Sequence, residues 1–330
     1  GDGAGFTSSN PANLLASDDE WAAPIMAEVG PDGNVWVIDW YNYIVQHNPT
    51  PRGFKTGPGN AYLTDLRDKK HGRIYRVSFG DSANRSQPTT LHNANTDQLV
   101  TALTSNNMFW RLRAQRLLVE RNAQDAIGDL IALVGRNQVD SIGLDVGAIH
   151  ALRTLDGLGA FASDQHRDVL TTAISHPSSA VVRTAVELLP HEQWGQETLL
   201  GSGAFESIDA QVQLLALLAA AQMPASRQSA RKAMVALQNL EHQSDRWMTD
   251  PATCAAANSG GEFLKLACEQ DSSTPRLIES ITVVAEHVAR SANQNAVLAV
   301  AGLLPEANAK ISGAIVAGWS KGWPADKKIN

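Results

Sequence analysis

An internal repeat constrains this chain more than any other feature. Arg111-Leu112-Arg113-Ala114-Gln115-Arg116-Leu117-Leu118, Ala148-Ile149-His150-Ala151-Leu152-Arg153-Thr154-Leu155 and Val182-Arg183-Thr184-Ala185-Val186-Glu187-Leu188-Leu189 share an alanine at 114, 151 and 185. A looser fourth copy is Val212-Gln213-Leu214-Leu215-Ala216-Leu217-Leu218. Spacings of 37 and 34 residues, each with a helical apolar face, predict stacked helix pairs. The small residue lets neighbouring helices approach, and the leucines fill the shared core. His176-Pro177-Ser178-Ser179, Leu189-Pro190, Gly201-Ser202-Gly203 and Met223-Pro224 break the pattern between helices. Thr274-Pro275 reads as a helix start. Ser105, Ser178-Ser179 and Ser272-Ser273 read as helix caps, and a further helix is expected to begin near Pro251.

The stretch before the repeat has a different character. All four tyrosines lie before residue 80. Ile25–Val29 and Val35–Trp40 read as strands around Pro31-Asp32-Gly33-Asn34, a turn in which proline presets φ and glycine accepts a positive one. Residues 48–71 form a long loop rich in proline and glycine, and Arg73–Phe79 alternates as a further strand. This makes one blade of a β-propeller, and a lone blade has open edges and cannot bury both faces. The expected fold is therefore α and β in separate regions, mainly an all-α HEAT-like solenoid preceded by a partial β-propeller blade. The expected boundaries are a propeller end over 1–80, a polar linker over 81–96 and helical repeats over 97–330.

Composition narrows the function classes. The formal net charge of −7 argues against nucleic acid or an anionic membrane as partner. One basic stretch opposes it: Arg52, Lys55, Arg67, Lys69, Lys70, Arg73 and Arg76 face only Asp65 and Asp68. It reads either as a salt-bridged loop, with Arg73 paired to one of those aspartates, or as an anion site. No apolar run approaches a membrane span. Cys254 and Cys268 lie thirteen residues apart, compatible with a disulfide across a helical hairpin or with two free thiols. No metal-ligand spacing, Cys-x-x-Cys-His, nucleophile elbow or phosphate-binding loop occurs, and Gly1-Asp2-Gly3-Ala4-Gly5 resembles the last only in composition.

Asp39-Trp40-Tyr41-Asn42-Tyr43-Ile44-Val45-Gln46-His47 and Lys70-His71-Gly72-Arg73-Ile74-Tyr75-Arg76-Val77 resemble the propeller end of large secreted planctomycete proteins labelled membrane-bound dehydrogenases. Phe109–Leu118, Ala148–Gly159, Asp245–Thr253 and Gly318–Pro324 resemble the helical part of the same family. The resemblance implies the C-terminal part of a larger secreted or periplasmic protein. There the chain would serve as an interaction scaffold for upstream blades, a companion chain or a cytochrome domain. It also implies a parent that oxidises sugars or alcohols with pyrroloquinoline quinone, calcium or haem c, none of them held within this chain. A non-catalytic carbohydrate-binding propeller is the other alternative. The candidate catalytic residues on the propeller face are Asp39, His47, His71 and Arg73: a histidine beside a carboxylate to take a proton, and an arginine to steady an anion. The rival reading makes Asp39 a cap on a strand turn. Asp245-Arg246-Trp247 is read as a packing anchor ahead of a helix, with concave-face binding as its alternative.

Overall fold

The computed structural model describes residues 2–44, 50, 52–57, 62–66, 70–80, 90–239 and 245–327. The chain is mainly helical with a small antiparallel sheet near its start. It divides into two compact units, one comprising Ser9–Ala126 and the other Gly1–Ser8 together with Ile127–Asn330. Composition changes at residue 80, whereas compactness changes at 126.

In the Ser9–Ala126 unit, β1 (Pro24–Val29), β2 (Val35–Asp39) and β5 (Arg73–Val77) form a sheet in the order β1-β2-β5. A two-residue ribbon, β3 (Lys55–Thr56) with β4 (Tyr62–Leu63), lies in the intervening loop. The β1–β2 turn closes as its sequence requires: Gly33 has φ +78° and donates its N–H to the Gly30 carbonyl at 3.0 Å. The Asp32 carboxylate holds this turn. It accepts from Trp36 Nε1 at 2.9 Å and Asn34 N at 3.1 Å, and pairs with Arg76 Nε at 2.5 Å. The indole hydrogen bond, helped by Arg76 and Asn34, outweighs burial and holds the Asp32 carboxyl well below its ordinary range.

Two helices complete this unit, α1 (Thr96–Ala102) and α2 (Met108–Glu120). Asn95 and Gln98 cap α1 reciprocally, and Asn107 caps α2. The start of α2 is fastened to the β-turn, because Asn107 Nδ2 donates to the Gly30 carbonyl and Trp110 Nε1 to the Pro31 carbonyl, each at 2.9 Å. The first repeat helix thus shares its unit with the sheet.

The second unit carries α3 (Ile127–Val134), α4 (Val146–Gly157), α5 (Arg167–Ala173), α6 (Ser179–Leu188), α7 (Gln193–Gly201), α8 (Ala210–Ala220), α9 (Arg227–Gln238), α10 (Arg246–Asn258), α11 (Gly260–Cys268), α12 (Pro275–Arg290), α13 (Gln294–Ala301) and α14 (Ala309–Gly322). The even-numbered helices pack each on the next from α4 to α14, while α9, α11 and α13 follow one another in a second layer. The repeat alanines explain the close stacking, for Ala151, Ala185 and Ala216 are all wholly buried on α4, α6 and α8. Helix starts rest on Asp145, Asp209, Ser226, Asp245, Thr274, Asn293 and Asn308 side chains. The serines expected as caps behave otherwise. Ser178 makes no cap bond and donates its hydroxyl to the Gly143 carbonyl, and Thr274 rather than Ser272 or Ser273 caps α12. α10 begins at Arg246, with Pro251 buried inside it rather than at its start. Cys254 is exposed, Cys268 is half-buried and both are free thiols.

One buried pair in this unit has a pH consequence. His176 Nδ1 accepts the Ser178 N–H at 3.0 Å, which places the ring proton on Nε2, 3.6 Å from Asp145 Oδ2. Burial pushes the His176 pKa down, against the opposing pull of Asp145. The unfolded chain therefore takes up this proton first as pH falls. The contribution to stability is whole above the unfolded value of about 6.5 and declines below it. Thermal denaturation at pH 8 and pH 5 should show wild type losing more stability than His176→Gln, and equal losses would exclude the effect.

Candidate functional site

The chemistry-bearing residues of the Ser9–Ala126 unit gather at one end of the sheet. Strand register brings them there: Pro24, Asp39 and Arg73 stand opposite one another across β1, β2 and β5. One extra residue in β1 between Pro24 and Met26 breaks the ladder at this end, as a β-bulge does. Asp39 is 1% exposed. Its Oδ1 accepts from the backbone N–H of Ala23 at 2.7 Å and of Tyr41 at 2.8 Å, and its Oδ2 accepts from Tyr75 OH at 3.1 Å. Burial alone would raise its pKa, but these bonds and the Arg73 charge together bring it below the ordinary carboxylate value.

Arg73 continues the network. Its Nη1 donates to Tyr75 OH at 3.3 Å and to Asp19 Oδ2 at 3.0 Å, and its guanidinium lies 3.6 Å from the centre of the Tyr41 ring. The Tyr75 and Asp19 bonds raise the Arg73 pKa further against burial. Asp19 is lowered chiefly by the Trp21 N–H it accepts, with Arg73 adding to the effect. Trp21 lies 6.0 Å from both the Tyr41 and Tyr43 rings. Tyr41 has φ +53°, a left-handed conformation uncommon for a bulky residue, and the Asp39 bond to its N–H holds it there.

Sequence reasoning grouped Asp39 and Arg73 with His47 and His71, and the structure joins the first two through Tyr75. Among the described residues the arginine pairs with Asp19 rather than Asp65, and Asp68 lies outside them. His71 is exposed two residues before β5, and His47 lies outside the described residues. Asp19, Trp21 and Tyr75 were missed. Strand alternation carried the signal for Tyr75, two residues from Arg73 on the same face; nothing in the local pattern marks Asp19. Among the described residues no group of three or more His, Cys, Asp or Glu is placed to hold a metal ion. Calcium requires six to eight oxygen ligands. Asp39 does not fit that role, since both its oxygens are already engaged by N–H and O–H donors. Among the described residues no helix is long and apolar enough to cross a membrane.

Residues 1–81 match a family model described as a domain of unknown function, DUF7133. The match takes in the whole Asp19–Asp39–Arg73–Tyr75 network. No curated protein matches the chain.

Proposed function

We propose that this chain is the closing part of a β-propeller joined to a HEAT-like scaffold, within a larger secreted or periplasmic protein of the dehydrogenase-labelled kind. In that protein it presents surfaces to the other blades, to a companion chain or to a cytochrome domain. The observation that carries this reading is a row of apolar side chains on the sheet. Met26, Ile38 and Ile74 stand side by side in register, 49%, 44% and 68% exposed. In a propeller such a face is covered by the neighbouring blade. The locked geometry of Asp39 and Arg73 supports a structural role for both, with redox chemistry and its quinone, calcium or haem on strands outside this sequence. Isolated from its source, the intact protein should exceed 35.3 kDa. Ile74→Lys should destabilise that intact protein by about 2 kcal/mol while changing the melting of the 330-residue chain by less than about 0.5 kcal/mol. A native mass of 35.3 kDa, with Ile74→Lys neutral in it, would sink the reading.

A second reading draws on Tyr41. Strained backbone gathers at functional sites, and this residue is held at φ +53° under the Arg73 guanidinium. It supports a direct part for this face in a sugar or alcohol oxidoreductase, or in carbohydrate binding through Trp21, Tyr41 and Tyr43. Turnover of a sugar panel by the intact protein with an artificial electron acceptor, abolished by Tyr41→Ala, separates this reading from the scaffold.

A further inference from the structure

The corner that begins α10 has an occupant. Residues Asp2–Gly5 form a tight turn closed by two backbone bonds, Asp2 N–H to the Gly5 carbonyl at 2.9 Å and Gly5 N–H to the Asp2 carbonyl at 3.1 Å. Gly3 has φ +58° within it. The turn belongs to the helical unit, and Ala4 is 5% exposed there. The Ala4 N–H donates to Asp245 Oδ2 at 2.6 Å, while Asp245 Oδ1 accepts the Trp247 N–H at 2.9 Å. One carboxylate thus caps a helix with one oxygen and holds the turn with the other. The fit demands glycine on both sides of Ala4. A Cβ on Gly3 would lie 2.3 Å from Asp245 Oδ2, and one on Gly5 would lie 2.0 Å from Trp247 Nε1. Beside the turn, a cavity of about 570 Å³ is lined by Phe6, Ile208, Gln213, Arg246 and Trp247.

We propose that the Asp245–Trp247 corner is a peptide-docking site selective for a glycine–small residue–glycine turn, occupied by the chain's own Asp2–Gly5 as a reversible latch. Selectivity follows from the geometry: the Asp245 oxygen reads the N–H of the small residue, and the two close approaches reject any flanking side chain. Phe6, the apolar residue after the turn, lines the adjoining cavity and stays largely exposed at its edge. This gives Asp245-Arg246-Trp247 a binding role independent of the redox identity of the intact protein.

Calorimetry with the synthetic peptide Gly-Asp-Gly-Ala-Gly-Phe-Thr-Ser tests it on the full chain. Gly5→Val, which disables the latch without touching the receptor, should expose the site and bind the peptide. Wild type should bind it at least about tenfold more weakly, because the tethered turn competes at high effective concentration. Adding Asp245→Asn to Gly5→Val should abolish binding, since asparagine still caps α10 but offers an N–H donor where the turn needs an acceptor. No binding to the Gly5→Val chain, equal affinity for wild type, or binding undiminished by Asp245→Asn would each overturn the proposal.

Discussion

Asp39→Ala is expected to destabilise the chain by about 3 kcal/mol, read as a shift in the urea midpoint of the Ser9–Ala126 unit. The magnitude follows from what is left behind. The Ala23 and Tyr41 N–H groups and the Tyr75 hydroxyl lose their acceptor at a position that is 1% exposed. Arg73 loses the nearby charge that complements it, although Asp19 still pairs with it. The pH dependence gives a second check. Because the folded pKa of Asp39 lies below its unfolded value, its contribution is whole above about pH 4 and is lost as pH falls through the lowered folded value. The gap between wild type and Asp39→Ala should therefore narrow in acid. A substitution effect below about 1 kcal/mol at neutral pH would show that the network is not what holds this end of the sheet.

Gly318→Val should have a comparable effect on the helical unit, about 3 kcal/mol, for the opposite reason. Here nothing is left unpaired; there is no room. A Cβ on Gly318 would sit 2.4 Å from the Thr282 carbonyl oxygen and 2.7 Å from the Ala285 Cβ of α12. The facing atoms are mainly backbone, so the two helices must part along a tightly packed interface. Gly313→Ala is the matched control. It lies on an exposed part of the same helix with nothing within 4 Å of the new Cβ, and should stabilise by about 1 kcal/mol through helix propensity. Thermal melts of the two variants should move in opposite directions, and parallel shifts would show that helix propensity, not the α12–α14 spacing, governs position 318.

Legibility in the sequence followed the range of the interaction. The repeat alanines were readable because helical periodicity is local, and Ala151 and Ala185 are buried where the period puts them. The Asp32-Gly33 turn was readable for the same reason. Asp39 and Arg73 were grouped with His47 and His71 as candidates on an expected propeller face, yet the partner of Arg73 is 54 residues away at Asp19, where no pattern points. Caps were assigned to serines because serine is a good cap in general, whereas this chain places Asp or Asn at most of the helix starts that carry a side-chain cap bond. The opening glycines were read only as composition. Their reason lies across the chain, in two side chains at the start of α10 that leave no space for a Cβ.

The docked turn also bears on the order in which the molecule can assemble. Neighbouring helices meet through contacts a few tens of residues apart and need only short loops to close. The bond from Ala4 to Asp245 spans 241 residues, and the segment between them includes the whole Ser9–Ala126 unit. Loop closure over such a separation carries the largest entropic penalty of any contact described here. It also requires α10 already formed, because the accepting carboxylate is fixed in place by its cap. During synthesis Asp2–Gly5 emerges long before Asp245 and must wait until α10 has left the ribosome. The turn is thus made well ahead of its partner and placed late, and its seating marks a helical unit built through to α10.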